Sequence, residues 1–247
     1  MKLALLGKSL SHSFSKSYFE NKFQNKQLPN YSYQNLDVSN LDGLLELIKS
    51  ENLDGLNVTK PYKESVIPLL NNLDDTAKVI GAVNCIKVIK DHGNFSLVGY
   101  NTDYYGFGQS IKPFLEPIHQ KALILGTGGA SKAVAYALKN IGVDVFFVTS
   151  SEKKTANSFN YNELNEHIFK AFKLVVNCTP LGMFPNVNEC PDIPYEFLTS
   201  EHLLYDLIYN PEETLFLQKG KVQGAVTING LNMLKLQAEK AWEIWHS

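Results

Sequence analysis

Arginine is missing from this chain: all 23 of its basic side chains are lysine. No planar guanidinium fork is available to grip a carboxylate or phosphate through two parallel bonds. Any bound anion must be held by lysine, hydroxyls, amides or backbone N–H groups. Cysteine is scarce too. Cys85, Cys178 and Cys190 are odd in number and widely spaced, which suggests neither a disulfide framework nor a zinc site. The six histidines form no ligand-spaced pair, so no metal is expected. No apolar run approaches the ~20 residues that span a bilayer. The opening Met1–Gly7 reads as a first strand rather than a signal peptide. No basic run exceeds Lys153-Lys154, which argues against a nucleic-acid surface. A charged fraction of 19% with a net charge of -2 is too low and too mixed for a disordered polyelectrolyte. A small-molecule protein of the reducing cytoplasm is expected, with no nucleic-acid or membrane partner. Its oligomeric state, monomer or homodimer, is left open.

What is present is 247 residues, 44% apolar and 11% aromatic, enough for two ordinary domains with real cores. Lys2–Leu6 reads as a strand, Ser15–Phe23 as a helix and Tyr31–Val38 as a strand. Leu41, Leu44, Leu45 and Ile48 repeat at helical spacing after Ser39, a serine cap. Leu53–Val58 is a short buried strand, Pro61 opens a helix running to about Leu70, and Asp74 caps the next. Ala82–Lys90 and Phe95–Tyr100 form a hairpin through residues 91–94. A helix over Tyr104–Pro117 leads to Lys121–Leu125 (strand), Ser131–Asn140 (helix) and Val143–Val148 (strand), a βαβ unit. Further strands are expected at Leu174–Asn177, Leu203–Leu207 and Val222–Ala225, with a docked amphipathic helix over Gly230–Trp245. Alternation of this kind implies an α/β fold with mostly parallel sheets.

Gly126-Thr127-Gly128-Gly129-Ala130-Ser131 follows a strand and opens a helix. There, glycines permit a tight turn and let the backbone approach a pyrophosphate at the positive helix N-terminus. A tight turn without a ligand is the plainer alternative. An NAD site places an acidic residue about 20 positions after the first glycine. Here the stretch reads Val148-Thr149-Ser150-Ser151-Glu152-Lys153-Lys154. Hydroxyls and ammonium groups attract a 2′-phosphate, which favours NADP. Ser13 and Ser15, between a strand and a helix, either cap that helix or bind an anion at its N-terminus. Thr59, Lys60 and Lys63 lie just beyond a buried strand, where open α/β sheets place ligands. Asn84, Asn101 and Asp103 add amides and a carboxylate at element ends.

Taken together these segments resemble the shikimate dehydrogenase family. The resemblance rests on Ser-His-Ser-Phe-Ser at 11–15, Asn-Val-Thr-Lys-Pro-Tyr-Lys-Glu at 57–64, Gly-Ala-Val-Asn at 81–84 and Gly-Tyr-Asn-Thr-Asp at 99–103. It continues through the glycine turn at 126–131, Asn-Cys-Thr-Pro-Leu-Gly-Met at 177–183, Asp-Leu-Ile-Tyr-Asn-Pro at 206–211 and Asn-Gly-Leu-Asn-Met-Leu-Lys-Leu-Gln-Ala at 229–238.

The resemblance implies NADPH-dependent reduction of 3-dehydroshikimate to shikimate. It implies two domains: residues 1–103 with 229–247 for substrate, and 104–228, of Rossmann type, for the dinucleotide. Lys63 and Asp103 become the catalytic pair. Ser13 and Ser15 take the substrate carboxylate, Thr59, Asn84 and Gln237 the ring hydroxyls, and Tyr209 lies beside the substrate. Residues Gly126, Thr127, Gly128, Gly129 and Ala130 cradle the pyrophosphate, while Met183 and Gly230 line the nicotinamide end. At 149–151 the family's NADP-specific members resemble Asn-Arg-Thr, where this chain has Thr149-Ser150-Ser151. Ser150 stands in the arginine's place, leaving Thr149, Ser150, Lys153 and Lys154 for the 2′-phosphate. An NAD-linked quinate/shikimate dehydrogenase and a non-catalytic ligand sensor are the alternatives.

Overall fold

The computed structural model describes residues 1–10, 13–151 and 156–247. The chain divides into two compact units, Met1–Thr102 with Ala238–Ser247, and Asp103–Gln237.

The first unit contains β1 (Lys2–Gly7), α1 (Phe14–Asn25), β2 (Ser32–Asp37), α2 (Leu44–Ser50), β3 (Gly55–Val58), α3 (Tyr62–Ser65), β4 (Asn72–Leu73), α4 (Asp75–Ile80), β5 (Cys85–Asp91) and β6 (Asn94–Tyr100). Its sheet runs β2-β1-β3-β5-β6-β4. β1 pairs in parallel with β2 and β3, while β3/β5 and β5/β6 are antiparallel. The sequence of β1 explains its inner place, between β2 and β3. Ala4 and Leu6 pack into one core with Leu56, Val58 and Ile86, and Leu3 and Leu5 into another with Phe19, Tyr33 and Trp245. Alternate residues of a strand face opposite ways, so a strand covered on both sides needs an unbroken apolar run.

The second unit contains α5 (Asp103–Ile111), β7 (Lys121–Leu125), α6 (Gly129–Asn140), β8 (Asp144–Thr149), β9 (Ser158–Asn160), α7 (Glu166–Ala171), β10 (Leu174–Asn177), β11 (Leu203–Asp206), α8 (Leu215–Val222), β12 (Val226–Ile228) and the start of α9 (Leu231–His246). Its sheet order is β12-β11-β10-β7-β8-β9, with every pairing parallel. Renumbered from β7, this is the 3-2-1-4-5-6 order of a doubly wound dinucleotide-binding sheet, whose order reverses between β7 and β10. Again the central strand is apolar on both faces, Ala122 and Ile124 to one core and Leu123 and Leu125 to the other.

The fold class follows the expectation of two α/β domains, but four local expectations need correction. The helix expected over Tyr104–Pro117 ends at Ile111 and is followed by a 3-10 turn over Lys112–Phe114. Ser39 does not cap α2. Asn40 accepts the Asp42 N–H at 3.0 Å, and Gly43, with φ of 72°, occupies the cap position, so the helix starts later at Leu44. The helix from Pro61 ends at Ser65, and a separate 3-10 turn covers Ile67–Leu69. No strand occupies Val222–Ala225: Val222 closes α8 and is 82% exposed, and the strand begins at Val226. A short apolar run does not by itself separate helix from strand. No helix among the described residues is long and apolar enough to cross a membrane.

Candidate active site

In the first unit the parallel registers Gly7↔Asp37, Leu6↔Leu36 and Leu6↔Val58 bring the carboxyl ends of β1, β2 and β3 to one edge. Open α/β sheets bind ligands at this edge. The Asp37 carboxylate accepts Leu10 N–H at 3.0 Å and Ser9 N–H at 2.9 Å, and these bonds hold its pKa below the usual carboxylate value. Asn35 Nδ2 also donates to the Leu10 carbonyl. β2 thereby pins the segment that leads into α1.

Ser13 occupies the N-cap position of α1, a helix of 12 residues, yet its side chain makes no cap bond. Its Oγ is buried and has no hydrogen-bond partner among the described residues. A buried hydroxyl without a partner is costly, and one beside a helix N-terminus is suited to an anion. Ser15 lies in the first turn of α1 and is half-buried. In the interior of the same unit the Tyr33 phenol donates to Asn57 Oδ1 at 2.8 Å. Asn57 Nδ2 donates to the Asn84 carbonyl at 3.3 Å, and Asn84 Nδ2 to Thr102 Oγ1 at 2.9 Å. Tyr33, Asn57, Asn84 and Thr102 are all buried. Burial is the main reason that the Tyr33 phenol is pushed well above its usual pKa, so it stays neutral.

Lys63 is half-buried in the short helix α3. Its carbonyl accepts Val83 N–H at 2.7 Å, joining α3 to the Gly81–Asn84 segment that carries Asn84. Thr59 is held by its own N–H on the Leu6 carbonyl at 2.9 Å. Asn101 Nδ2 donates to the Ala82 carbonyl at 2.9 Å, so the chain just before Asp103 is anchored to the same segment. The first unit thus gathers Ser13, Ser15, Thr59, Lys63 and Asn84 on segments that bond one another.

In the second unit Asp103 is buried in the first turn of α5, where a carboxylate is favoured by the helix dipole. The glycine turn sits between β7 and α6, at the point where strand order reverses. Gly126 has φ of +100°, and a Cβ there would lie 3.2 Å from Thr179 Cγ2. Gly128 faces open space, with nothing within 4 Å of a Cβ built on it. Ser131 Oγ donates to the Gly128 carbonyl at 2.6 Å. Backbone N–H groups beside open space at a helix N-terminus fit a pyrophosphate. Thr149 ends β8, with Ser150 and Ser151 exposed beyond it. Lys153 and Lys154, expected at the 2′-phosphate, lie outside the described residues.

At the carboxyl ends of β10 and β11 a buried carboxylate organises three segments. Asp206 accepts from Asn177 Nδ2 (3.1 Å), Ile208 N–H (3.0 Å) and Thr214 Oγ1 (2.6 Å). Asn177 in turn receives the Thr179 N–H and hydroxyl. Burial pushes the Asp206 pKa up to about 6 despite those three donors. Gly230 packs against the backbone of the loop that leaves β11, so closely that a Cβ would collide with the Leu207 carbonyl oxygen. Tyr209 is half-buried in the same loop, and burial raises its phenol pKa. Met183 is 36% exposed at the end of the Cys178–Met183 segment. Gln237 is buried in α9, with Nε2 on the Leu234 carbonyl at 2.9 Å.

Sequence reasoning did not assign roles to Tyr33, Asn57, Thr102, Asp206 or Thr214. Asn57, Thr102 and Asp206 stood inside quoted motifs, and a polar residue within a buried strand was the available signal for Asn57. Nothing local marks Tyr33, which reads as one more aromatic on a strand. Among the described residues no three His, Cys, Asp or Glu side chains come together as a metal-binding group.

Residues 5–86 match the family described as the shikimate dehydrogenase substrate binding domain. The NADP(+) shikimate dehydrogenase of Desulforamulus reducens is 37% identical over 262 residues, covering 98% of this chain and 88% of that protein. The crystal structure of shikimate dehydrogenase from Aquifex aeolicus superposes with a TM-score of 0.88 at 32% identity, covering 99% of this chain and 92% of that one. The Thermus thermophilus shikimate 5-dehydrogenase, solved in complex with NADP(H) and shikimate, gives 0.86 at 29% identity, covering 99% and 93%. Kinship over nearly the whole length, on top of a ligand-ready strand edge in one unit and a dinucleotide-binding strand order in the other, places the chain in the shikimate dehydrogenase family.

Proposed function

We propose that this chain catalyses reduction of 3-dehydroshikimate to shikimate with NADPH, in the cytoplasm, as a monomer or homodimer. One observation carries the substrate side of this reading: the Ser13 hydroxyl, buried at the N-terminus of α1 with no partner among the described residues, is a donor that a carboxylate would satisfy. Ser13 and Ser15 hold the substrate carboxylate, a task that needs no arginine. Thr59, Asn84 and Gln237 contact the ring hydroxyls, and Tyr209 lies beside the ring. When bound, the cofactor supplies hydride to the ketone carbon. Negative charge then builds on the ketone oxygen, and the Lys63 ammonium stabilises it and delivers a proton there. Asp103 orients that ammonium. Residues Gly126 to Ala130 cradle the pyrophosphate, and Met183 and Gly230 line the nicotinamide end.

Purified protein mixed with shikimate or quinate and with NADP or NAD, in all four combinations, tests the reading by absorbance of the reduced cofactor. Fastest turnover is expected with shikimate and NADP. No turnover in any combination would leave a ligand sensor, and a preference for NAD would overturn the cofactor assignment. That second result has a specific basis, because Ser150 stands where the NADP-specific pattern has arginine.

Thr149 and Ser150 contribute hydroxyls to the 2′-phosphate, and Lys153 and Lys154 contribute point charges. Replacing both lysines by alanine is expected to raise KM for NADP several-fold more than KM for NAD. Equal changes in the two would show that neither lysine reads the phosphate.

A further inference from the structure

Two costly local features converge on one turn ahead of Ser13. Ser9 holds φ of 62°, a left-handed backbone that residues other than glycine adopt rarely. Asn35 Oδ1 is buried with no hydrogen-bond partner among the described residues. A strained backbone persists only where its surroundings over-determine it, and such positions gather at functional sites. A buried acceptor left unpaired calls for a reason as well. Both costs here serve Ser9-Leu10. Asp37, the last residue of β2, accepts Ser9 N–H through Oδ1 at 2.9 Å and Leu10 N–H through Oδ2 at 3.0 Å. Asn35 lies two residues earlier, on the same face of the strand. Its Nδ2 donates to the Leu10 carbonyl at 3.1 Å, which fixes the way the amide points and leaves Oδ1 unspent. The same carbonyl accepts Ser13 N–H at 3.2 Å. Leu10 is therefore the joint between β2 and the serine whose hydroxyl has no partner among the described residues.

We infer that Asp37 is a positioning residue for substrate binding: its two oxygens hold the left-handed Ser9 turn, and through the Leu10 carbonyl that turn sets Ser13 for the substrate carboxylate. This role rests on the proposed substrate and adds a residue that the substrate assignment does not require. Position and charge make opposite demands on it. Asp37 is itself an anion on the strand edge that receives the carboxylate, so on charge alone its removal would tighten binding. As the holder of the turn, its removal weakens binding. A hydroxyl already in place when the substrate arrives spares the cost of ordering it then, and that saving appears in affinity.

The experiment is steady-state kinetics with shikimate and NADP on Asp37→Ala, Asp37→Asn, Ser9→Gly and Ser13→Ala, with each Asp37 variant also combined with Ser9→Gly and with Ser13→Ala. Asp37→Ala is expected to raise KM for shikimate about 5- to 10-fold, the scale of one hydrogen bond to a charged group, while kcat and KM for NADP change less than about 2-fold. Asp37→Asn keeps one acceptor and sets a donor against the other N–H, so it should raise KM in the same direction. Glycine adopts the left-handed backbone without steric cost, so loss of Asp37 should matter less beside Ser9→Gly. It should add little to Ser13→Ala, because the hydroxyl it places is already gone. A merely structural role would lower thermal stability without a KM–kcat split and without dependence on Ser13. Unchanged or lower KM in Asp37→Ala, or an effect undiminished beside Ser9→Gly or Ser13→Ala, overturns the inference. Should Asp37→Ala fail to fold, Asp37→Asn carries the test: a rise in KM that disappears beside Ser13→Ala is expected, and unchanged or lower KM overturns the inference. Absence of wild-type turnover with shikimate would be a failure of the proposed function, visible before any variant is made.

Discussion

Lys63→Ala is expected to lower kcat at least ~100-fold, the usual scale for a positioned acid or oxyanion stabiliser. The side chain carries the only function lost. The Lys63 carbonyl accepts Val83 N–H, and alanine retains that backbone bond. Lys63 is half-buried in a helix of four residues, so truncation opens no core cavity, and the variant should melt close to the wild type. In the reaction, charge that develops on the ketone oxygen would meet neither a cation nor a proton donor in the variant. Because that interaction is made mainly in the transition state, kcat and kcat/KM should fall together, with KM for shikimate changing less. Single-turnover measurement of cofactor oxidation checks that the chemical step is the one slowed. A near-normal kcat would exclude this role for Lys63 whatever happened to KM.

The features legible in sequence were those with a strong local physical cause. The runs at Lys2–Leu6 and Lys121–Leu125 announced strands buried on both faces, and both are inner strands of their sheets. The hairpin through 91–94 formed around His92-Gly93, both with positive φ, as its turn chemistry required. Asp74 caps α4 through the Thr76 and Ala77 N–H groups, again a local signal. The failures share another origin. Ser39 lost its capping role to an Asn40 turn and a left-handed Gly43, a choice made within five residues of which four, Ser39, Asn40, Asp42 and Gly43, carry turn propensity. Val222–Ala225 is too short to show its period, and the Thr214 cap together with the packing of Gly220 on Leu204 decided for helix. The buried hydrogen-bond chain from Tyr33 to Thr102 joins residues up to 69 positions apart and follows only from the sheet register that sets β2, β1 and β3 side by side. The absent arginine was readable at once as a limit on how this chain can hold an anion.

Asp206→Ala is expected to destabilise the protein by about 3–5 kcal/mol under mildly acid conditions, measured by urea denaturation. Three donors would lose their acceptor at once: Asn177 Nδ2, Ile208 N–H and Thr214 Oγ1, all on buried residues. Each orphaned buried donor costs roughly 1–3 kcal/mol, with partial relief from rearrangement. The loss should depend on pH in a defined direction. The Asp206 pKa is raised by burial from 3.8 to about 6 in the fold, so the folded state holds its proton more tightly than the unfolded chain. Its contribution to stability is then full below about pH 4 and is lost as pH rises through about 6, since the unfolded chain releases the proton first. Between pH 5 and pH 7.5 the wild type should give up roughly 1 kcal/mol of its lead over Asp206→Ala, as the linkage of a shift of about two units implies. Asp206→Asn, which keeps an acceptor but cannot ionise, should fall between the two at pH 5 and show no such slope from this site. Activity should suffer as well, because Asp206 ties the Asn177 end of the Cys178–Met183 segment to the loop that carries Tyr209. If Asp206→Ala unfolds at the wild-type urea midpoint, or if its deficit grows as pH rises from 5 to 7.5, the buried carboxylate does not hold these segments as described.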